Sequence, residues 1–213
     1  MRALLLVLCL SCAAAARAAD VFPSFAALGS SHTSGKDYRI EVADRRSTVT
    51  VFAIHGGAIE PGTEAVAAAL AGTDWNLYRF ESLLSSAPWR LHLTAAHYDE
   101  PGALALAARS RLGVAIHGQR DPGQSVCVGG GNESLRQAVA DALSAAGFET
   151  EQPCRRLPGR SPANLVNRPK DGGVQLELSA DLLRELPAQE DRLGRFCAAL
   201  RAGVNAAGRN PSR

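Results

Sequence analysis

Two segments run from an apolar stretch straight into a histidine and then a glycine: VFAI-His55-Gly56-Gly57 and GVAI-His117-Gly118. A third, VQL-Glu177-LS, delivers a carboxylate instead and lacks the glycine, while Glu60 follows His55 after the Gly56-Gly57 turn. Imidazole and carboxylate are the common ligands of a catalytic zinc, which takes three protein groups and leaves a fourth position open for water. Such an ion lowers the pKa of its water to about 7 and polarises a carbonyl. Amide cleavage then needs one more carboxylate, to take the water's proton and hand it to the leaving amine. Glu177 suits that role, because a lone carboxylate in an apolar strand is costly unless something uses it. Blander readings stand beside this one. A histidine at a strand end is commonly a hydrogen-bonded turn residue, a glutamate after a turn is commonly solvated, and Glu177 could be the polar side of a half-buried strand. The repetition of the strand-His-Gly unit favours the metal.

Those residues must be positioned by a sheet. Apolar runs with strand character span 37–42, 48–54, 75–80, 90–94, 112–117, 125–128 and 174–178, and helical patterns span 63–70, 101–109, 133–146 and 191–207. Asn132 is the natural N-cap of the third helix and Gly147 ends it. This alternation predicts one α/β domain, a mixed central sheet flanked by helices. In open α/β sheets ligands gather at the carboxyl ends of strands, so His55 and His117 can converge there despite their separation in sequence. The stretch 154–173, CRRLPGRSPANLVNRPKDGG, has no usable period and reads as a long ordered loop, a kind of segment that is usually functional.

With 213 residues, 46% hydrophobic and 21% charged, the chain fits one globular domain. Its start, MRALLLVLCLSCAAAARAAD, has a basic residue, an apolar run and an Ala16-Arg17-Ala18 cleavage pattern, as a secretory signal does. The run is too short to span a bilayer. The expected organisation is therefore a signal peptide over 1–19 and a hydrolase domain over 20–213, secreted or periplasmic, with no transmembrane segment. Cys9-Leu10-Ser11 before Cys12 makes a poor lipobox, which argues against a lipid anchor. Without Arg2 and Arg17, 21 of the 23 basic residues face 21 acidic ones, and a near-neutral chain argues against nucleic acid. The mature chain keeps Cys127, Cys154 and Cys197, a count that suits one disulfide in an oxidising compartment, with Cys127–Cys154 the expected pair. It has no C-x-x-C for a thiolate zinc site and no G-x-S-x-G elbow for a serine hydrolase.

In order and spacing, DYRIEV, AIHGGAIEPGTEAVA, LYRFES, LHLTAAHYDEP, VAIHG, the VGG before Asn132, LPGRSPANLVNR and GVQLELS resemble the poly-gamma-glutamate hydrolases of phages and bacteria, zinc enzymes with a carboxypeptidase-like fold. The resemblance covers about residues 25 to 179. It implies that His55, Glu60 and His117 hold zinc and that Glu177 is the general base. It also implies an anionic substrate, gamma-linked polyglutamate or a related acidic peptide, met by basic side chains. Arg168 is the first choice for that contact, followed by Arg156 and Arg160, with Arg79 and Arg111 weaker; most of the loop's charges are expected to be ordinary solvated ones. His97, whose segment recurs in the family, is a candidate at the mouth of the site for stabilising the developing oxyanion, beside the plainer and favoured reading of a core or loop residue. His92, which alternates with apolar neighbours, is expected inside the core. A monomer is expected. Cys127 and Cys154 depart from the family pattern and suggest a secreted variant stiffened by a bridge. That leaves a cell-wall peptide as an alternative substrate and a non-catalytic binding protein as an alternative role.

Overall fold

The computed structural model describes residues 20–209. Helix α1 (Phe25–Ser31) precedes strands β1 (Tyr38–Ala43) and β2 (Val49–Gly57), helix α2 (Thr63–Ala71), β3 (Asn76–Ser82), α3 (Pro101–Arg109), β4 (Leu112–Gly118) and β5 (Ser125–Gly129). Helix α4 (Glu133–Ala145), β6 (Glu149–Glu151), β7 (Gly173–Leu178), α5 (Ala180–Glu185) and α6 (Glu190–Arg209) complete it. The sheet order is β1-β3-β2-β4-β7-β5-β6. Strands β3, β2, β4 and β7 run parallel, whereas β1 and β5 join them antiparallel, so the sheet is mixed as expected.

The central strands are buried on both faces and read as nearly continuous apolar runs, the pattern of a parallel sheet covered on both sides. Alternation sorts their side chains. Val51, Ala53, Val114, Ile116, Val174, Leu176 and Leu178 enter one cluster with α2, α4 and α6. Phe52, Ile54, Tyr78, Phe80 and Ala115 enter a second with α1, α3 and the segment around Leu91 and Leu93. Gln175 and Glu177 therefore leave β7 on the face opposite to α4 and α6.

The expected strand over 90–94 is a correction. Pro88–Leu91 forms a 3-10 turn entered through Ala87 at φ 48, and the chain after it is extended without a sheet partner. Leu91 and Leu93 are buried because they pack into the second cluster, which produces strand-like alternation without strand pairing. Helices α1 and α5 and strand β6 carry patterns too short to read from sequence. The 154–173 segment is a loop as expected as far as Gly172, with one 3-10 turn at Leu165–Asn167, and Gly173 already opens β7. Cys127 and Cys154 are bridged, with Cα atoms 5.0 Å apart, and Cys197 is a buried free thiol. The signal peptide read over 1–19 lies outside the described residues, and no helix among the described residues is long and apolar enough to cross a membrane.

Candidate metal and catalytic site

Adjacent parallel strands β2 and β4 carry His55 and His117 to the same end of the sheet. The pairing of β2 with β3 shifts between Ala53 and Gly56, and such irregularities re-aim side chains. His55 thus escapes the alternation that sends Ala53 into the first cluster and meets His117 instead. The following glycines are needed for close approach: a Cβ on Gly57, at φ +65, would stand 2.3 Å from the Ser82 carbonyl oxygen. The chain then folds back, Glu60 N donating to His55 O at 2.8 Å.

That turn brings three candidate ligand groups together through four atoms. Glu60 Oε1 lies 2.9 Å from His55 Nδ1, Glu60 Oε2 lies 3.5 Å from His117 Nδ1, and the two Nδ1 atoms are 3.2 Å apart. Ligands about 2.0–2.1 Å from a tetrahedral zinc stand roughly 3.3–3.4 Å from one another, so two imidazole nitrogens and a carboxylate spaced 2.9 to 3.5 Å are close to the spacing such an ion needs. The protons agree. A carbonyl only accepts, so His55 Nε2–H donates to Leu93 O at 2.8 Å, which leaves Nδ1 as the ring atom turned toward the carboxylate and the other imidazole. Lone pairs facing one another this closely need a cation or a proton between them. Gly118 N donates to Glu60 Oε2 at 2.9 Å and fixes the carboxylate. Burial pushes the Glu60 carboxyl up, but the His55 and His117 imidazoles outweigh it and hold the group well below the usual carboxylate range.

His92 is also here, not in the core. His55, Glu60 and His92 form a possible metal-binding group, with ligand atoms within 4.8 Å of one another. Its ring, however, stacks on that of His55, centroids 4.1 Å apart and planes 28° from parallel. A ligating imidazole nitrogen points its lone pair in the ring plane, and two stacked planes do not converge on a nearby ion. The His55 and His117 rings, inclined at 57°, do not have this difficulty. His92 Nδ1 is engaged with Asp20 Oδ1 at 2.9 Å, and burial, then the neighbouring His55, lowers its pKa to about 4 despite Asp20.

Glu177 sits across from His117 in the β4–β7 register and from Cys127 in the β5–β7 register. It is 6% exposed and held by a chain of amides. Gln175 Nε2 donates to Glu177 Oε1 and to Leu157 O, both at 3.1 Å, and Asn164 Nδ2 donates to Gln175 Oε1 at 2.8 Å. Asn164 Oδ1 in turn accepts from Val166 N. Each amide end thus has a complementary partner, which fixes both orientations. Gln175 shares the parity of Glu177 in VQLEL, so two polar residues at period two inside an apolar strand were the available signal for it.

The expected substrate-binding residues separate. Arg156 reaches the mouth, donating to Gln119 Oε1 at 2.7 Å and pairing with Asp121, just beyond His117. Arg168 does not. Its Nε donates to Ala163 O, and the following residues bond to Ser110 and Arg111, at the amino end of β4. The His117 end of that strand is about 17 Å away at the usual rise. Nearness to Glu177 in sequence misleads because β7 lies between, carrying the chain from one end of the sheet to the other. Arg160 is exposed, and burial, then the charge of Arg160, lowers the pKa of Arg136. His97 is 61% exposed and bonds Asp20 Oδ2 at 3.2 Å. Arg79 is occupied by Glu41 and Glu81, and Arg111 by Asp171.

Comparison with known proteins places the chain among its relatives. The profile of a family described as poly-gamma-glutamate hydrolase matches residues 22–195. The UPF0714 protein YndL of Bacillus subtilis (strain 168) is 34% identical over 172 residues, covering 79% of this chain and 68% of that protein. The SPbeta prophage-derived UPF0714 protein YoqZ of the same organism is 33% identical over 172 residues, covering 79% and 62%. The chain thus spans about two thirds of the length of these relatives. Among solved structures, a bacteriophage poly-gamma-glutamate hydrolase matches with a TM-score of 0.83 at 30% identity, covering 89% of this chain and 99% of that one. A zinc-free YndL structure matches with a TM-score of 0.82 at 29% identity and the same coverage.

Proposed function

Because the chain belongs to the poly-gamma-glutamate hydrolase family, we propose that it is a zinc-dependent hydrolase of gamma-glutamyl amide bonds, acting on poly-gamma-glutamate or a related acidic peptide. His55 Nδ1, Glu60 and His117 Nδ1 hold the zinc. When bound, the ion acidifies water and polarises the scissile carbonyl. Glu177 takes the proton that the attacking water loses and delivers it to the leaving amide nitrogen. Gln175 keeps the Glu177 carboxylate oriented for that transfer. Arg156 binds a substrate carboxylate, since a guanidinium pairs with carboxylates through two parallel hydrogen bonds. Its present partner Asp121 is 50% exposed, and so exposed a pair is held weakly enough to exchange. The enzyme works outside the cytoplasm, in keeping with the Cys127–Cys154 bridge.

The observation that carries this reading is the triangle of two imidazole nitrogens and a carboxylate, 2.9, 3.2 and 3.5 Å on its sides. Elemental analysis of the purified protein tests it, with stoichiometric zinc expected in the wild type and lost in His117→Ala. Full zinc in that variant would pass the third ligand position to His92. A wild type without zinc would remove the enzyme reading. Incubation with polyglutamate should shorten the polymer, whereas release of amines from peptidoglycan alone would overturn the substrate.

A further inference from the structure

His92 is the ring at the site to which the proposed chemistry gives no task, and its partner Asp20 comes from the far amino-terminal side of the chain. The Asp20 carboxylate, 8% exposed, accepts from His92 Nδ1 at 2.9 Å, His97 Nδ1 at 3.2 Å, Thr94 N at 2.8 Å and Thr94 Oγ1 at 3.1 Å. Between the two residues it grips most closely lies Leu93, whose carbonyl accepts from His55 Nε2. The His92 ring covers the face of His55 at 4.1 Å. Residues 92–94 therefore touch His55 on both edge and face, and Asp20 pins that segment at both ends.

We infer that Asp20 is a positioning residue of the metal site: it holds 92–94 so that Leu93 O and the His92 ring lock the His55 imidazole with Nδ1 turned toward Glu60 and His117. The inference rests on the reading of His55 as a zinc ligand. Outer-shell partners that orient a ligating histidine commonly change metal affinity by about 10–100-fold when removed. A carboxylate is required because four donors converge on it; an amide has one acceptor oxygen and sets its NH2 against donors.

Asp20 also ties down the amino-terminal segment, and the test must separate that from action on the metal. Asp99 supplies the control, because its Oδ1 accepts from Phe25 N at 2.6 Å and so staples the same segment without touching His55. Zinc affinity is measured by chelator competition, the visible absorption of the cobalt-substituted protein reports ligand geometry, and thermal melting of the metal-free protein reports stability. Asp20→Asn should weaken zinc binding about 10–100-fold and alter the cobalt spectrum, whereas Asp99→Ala should lower only the melting temperature. His92→Phe keeps a stacked ring and loses the tie to Asp20. It should weaken zinc binding in the same sense, and the double variant should lose less than the product of the single losses. This variant keeps the idea testable if Asp20→Asn does not fold. Wild-type affinity and spectrum in Asp20→Asn, or equal zinc losses in Asp20→Asn and Asp99→Ala, would overturn it. A wild type that binds no zinc would instead sink the metal reading.

Discussion

The ligand half of the site and the carboxylate half are assembled by different means. His55, Glu60 and His117 converge because two neighbouring strands end together and one of them turns back on glycine, so the backbone does most of the aiming. Glu177 comes from a regular strand and is aimed by side chains, Gln175 and behind it Asn164 from the long loop. Both amides are almost fully buried. A metal gathers its own ligands once they are near. A proton-transferring carboxylate has no such partner and needs fixed hydrogen bonds to keep its orientation. In the proposed mechanism that difference accounts for a long ordered loop beside Glu177 and a tight turn beside His55 and Glu60.

The comparison breaks most sharply at Glu177. Glu177→Gln should lower the hydrolysis rate by about 10²–10⁴-fold, the usual contribution of a positioned acid–base group, with zinc content unchanged. Steady-state rates on polyglutamate and elemental analysis of the same sample check it. Loss of zinc from Glu177→Gln would mean that the two halves are one, with Glu177 part of the ligand set.

The halves also differed in how far they could be read in advance. The meeting of His55, Glu60 and His117 was visible because a side chain at a strand end follows from local pattern, and helices α3 and α4 were visible through proline and cap signals. The shift in the β2–β3 register that turns His55 out of the first cluster was not visible, since it depends on the neighbouring strand. Nor was the sorting of the loop arginines. Arg156 and Arg168 look alike in sequence, and only the direction of β7 puts one at the mouth and the other at the opposite end. Asp20 gave no signal, because its role exists only where residues 92–97 fold over it.

A smaller effect is expected one step behind the base. Gln175→Met removes a donor to Glu177 and takes from Asn164 Nδ2 its closer acceptor, leaving it only the long bond to Gly159 O at 3.4 Å. Removing one buried partner costs about 1–3 kcal/mol. If much of that falls on the transition state, kcat should drop roughly 10–100-fold, with KM and zinc affinity little changed. In the background of Glu177→Gln the same substitution should cost far less, because the two residues act as a unit. Equal losses in both backgrounds would reduce Gln175 to a packing residue and remove the contrast between the halves.

Arg156 and Arg168 sharpen the comparison at the substrate. Arg156→Ala should raise KM for polyglutamate about tenfold, equivalent to ~1.4 kcal/mol of binding, and high salt should shrink the difference because the arginine is exposed. Arg168→Ala should leave KM where it was. A reversed result would place the polymer along the amino ends of β4 and β7 instead of across the mouth.

The smallest effect concerns the metal-free protein in acid. His92 has a pKa lowered to about 4 from 6.5, chiefly by burial and then by His55, so between these values the unfolded chain binds more protons than the folded one. Its neutral ring contributes to stability fully above pH 6.5, and the contribution falls as pH drops from 6.5 toward about 4. The ring is 28% exposed, so solvent screens part of the shift. A loss on the order of 1 kcal/mol between pH 7 and 5 is a reasonable scale, corresponding to about 2–4 °C in melting temperature for a chain of this size. His92→Gln has no ring to titrate, so its melting temperature should fall less over the same interval. The comparison is made on chelated protein, and parallel curves for wild type and variant would show that the acid response belongs to other groups. A flatter curve for the variant would place the ligand half's acid weakness in the ring that stacks on His55, a weakness the amide-held carboxylate half does not share.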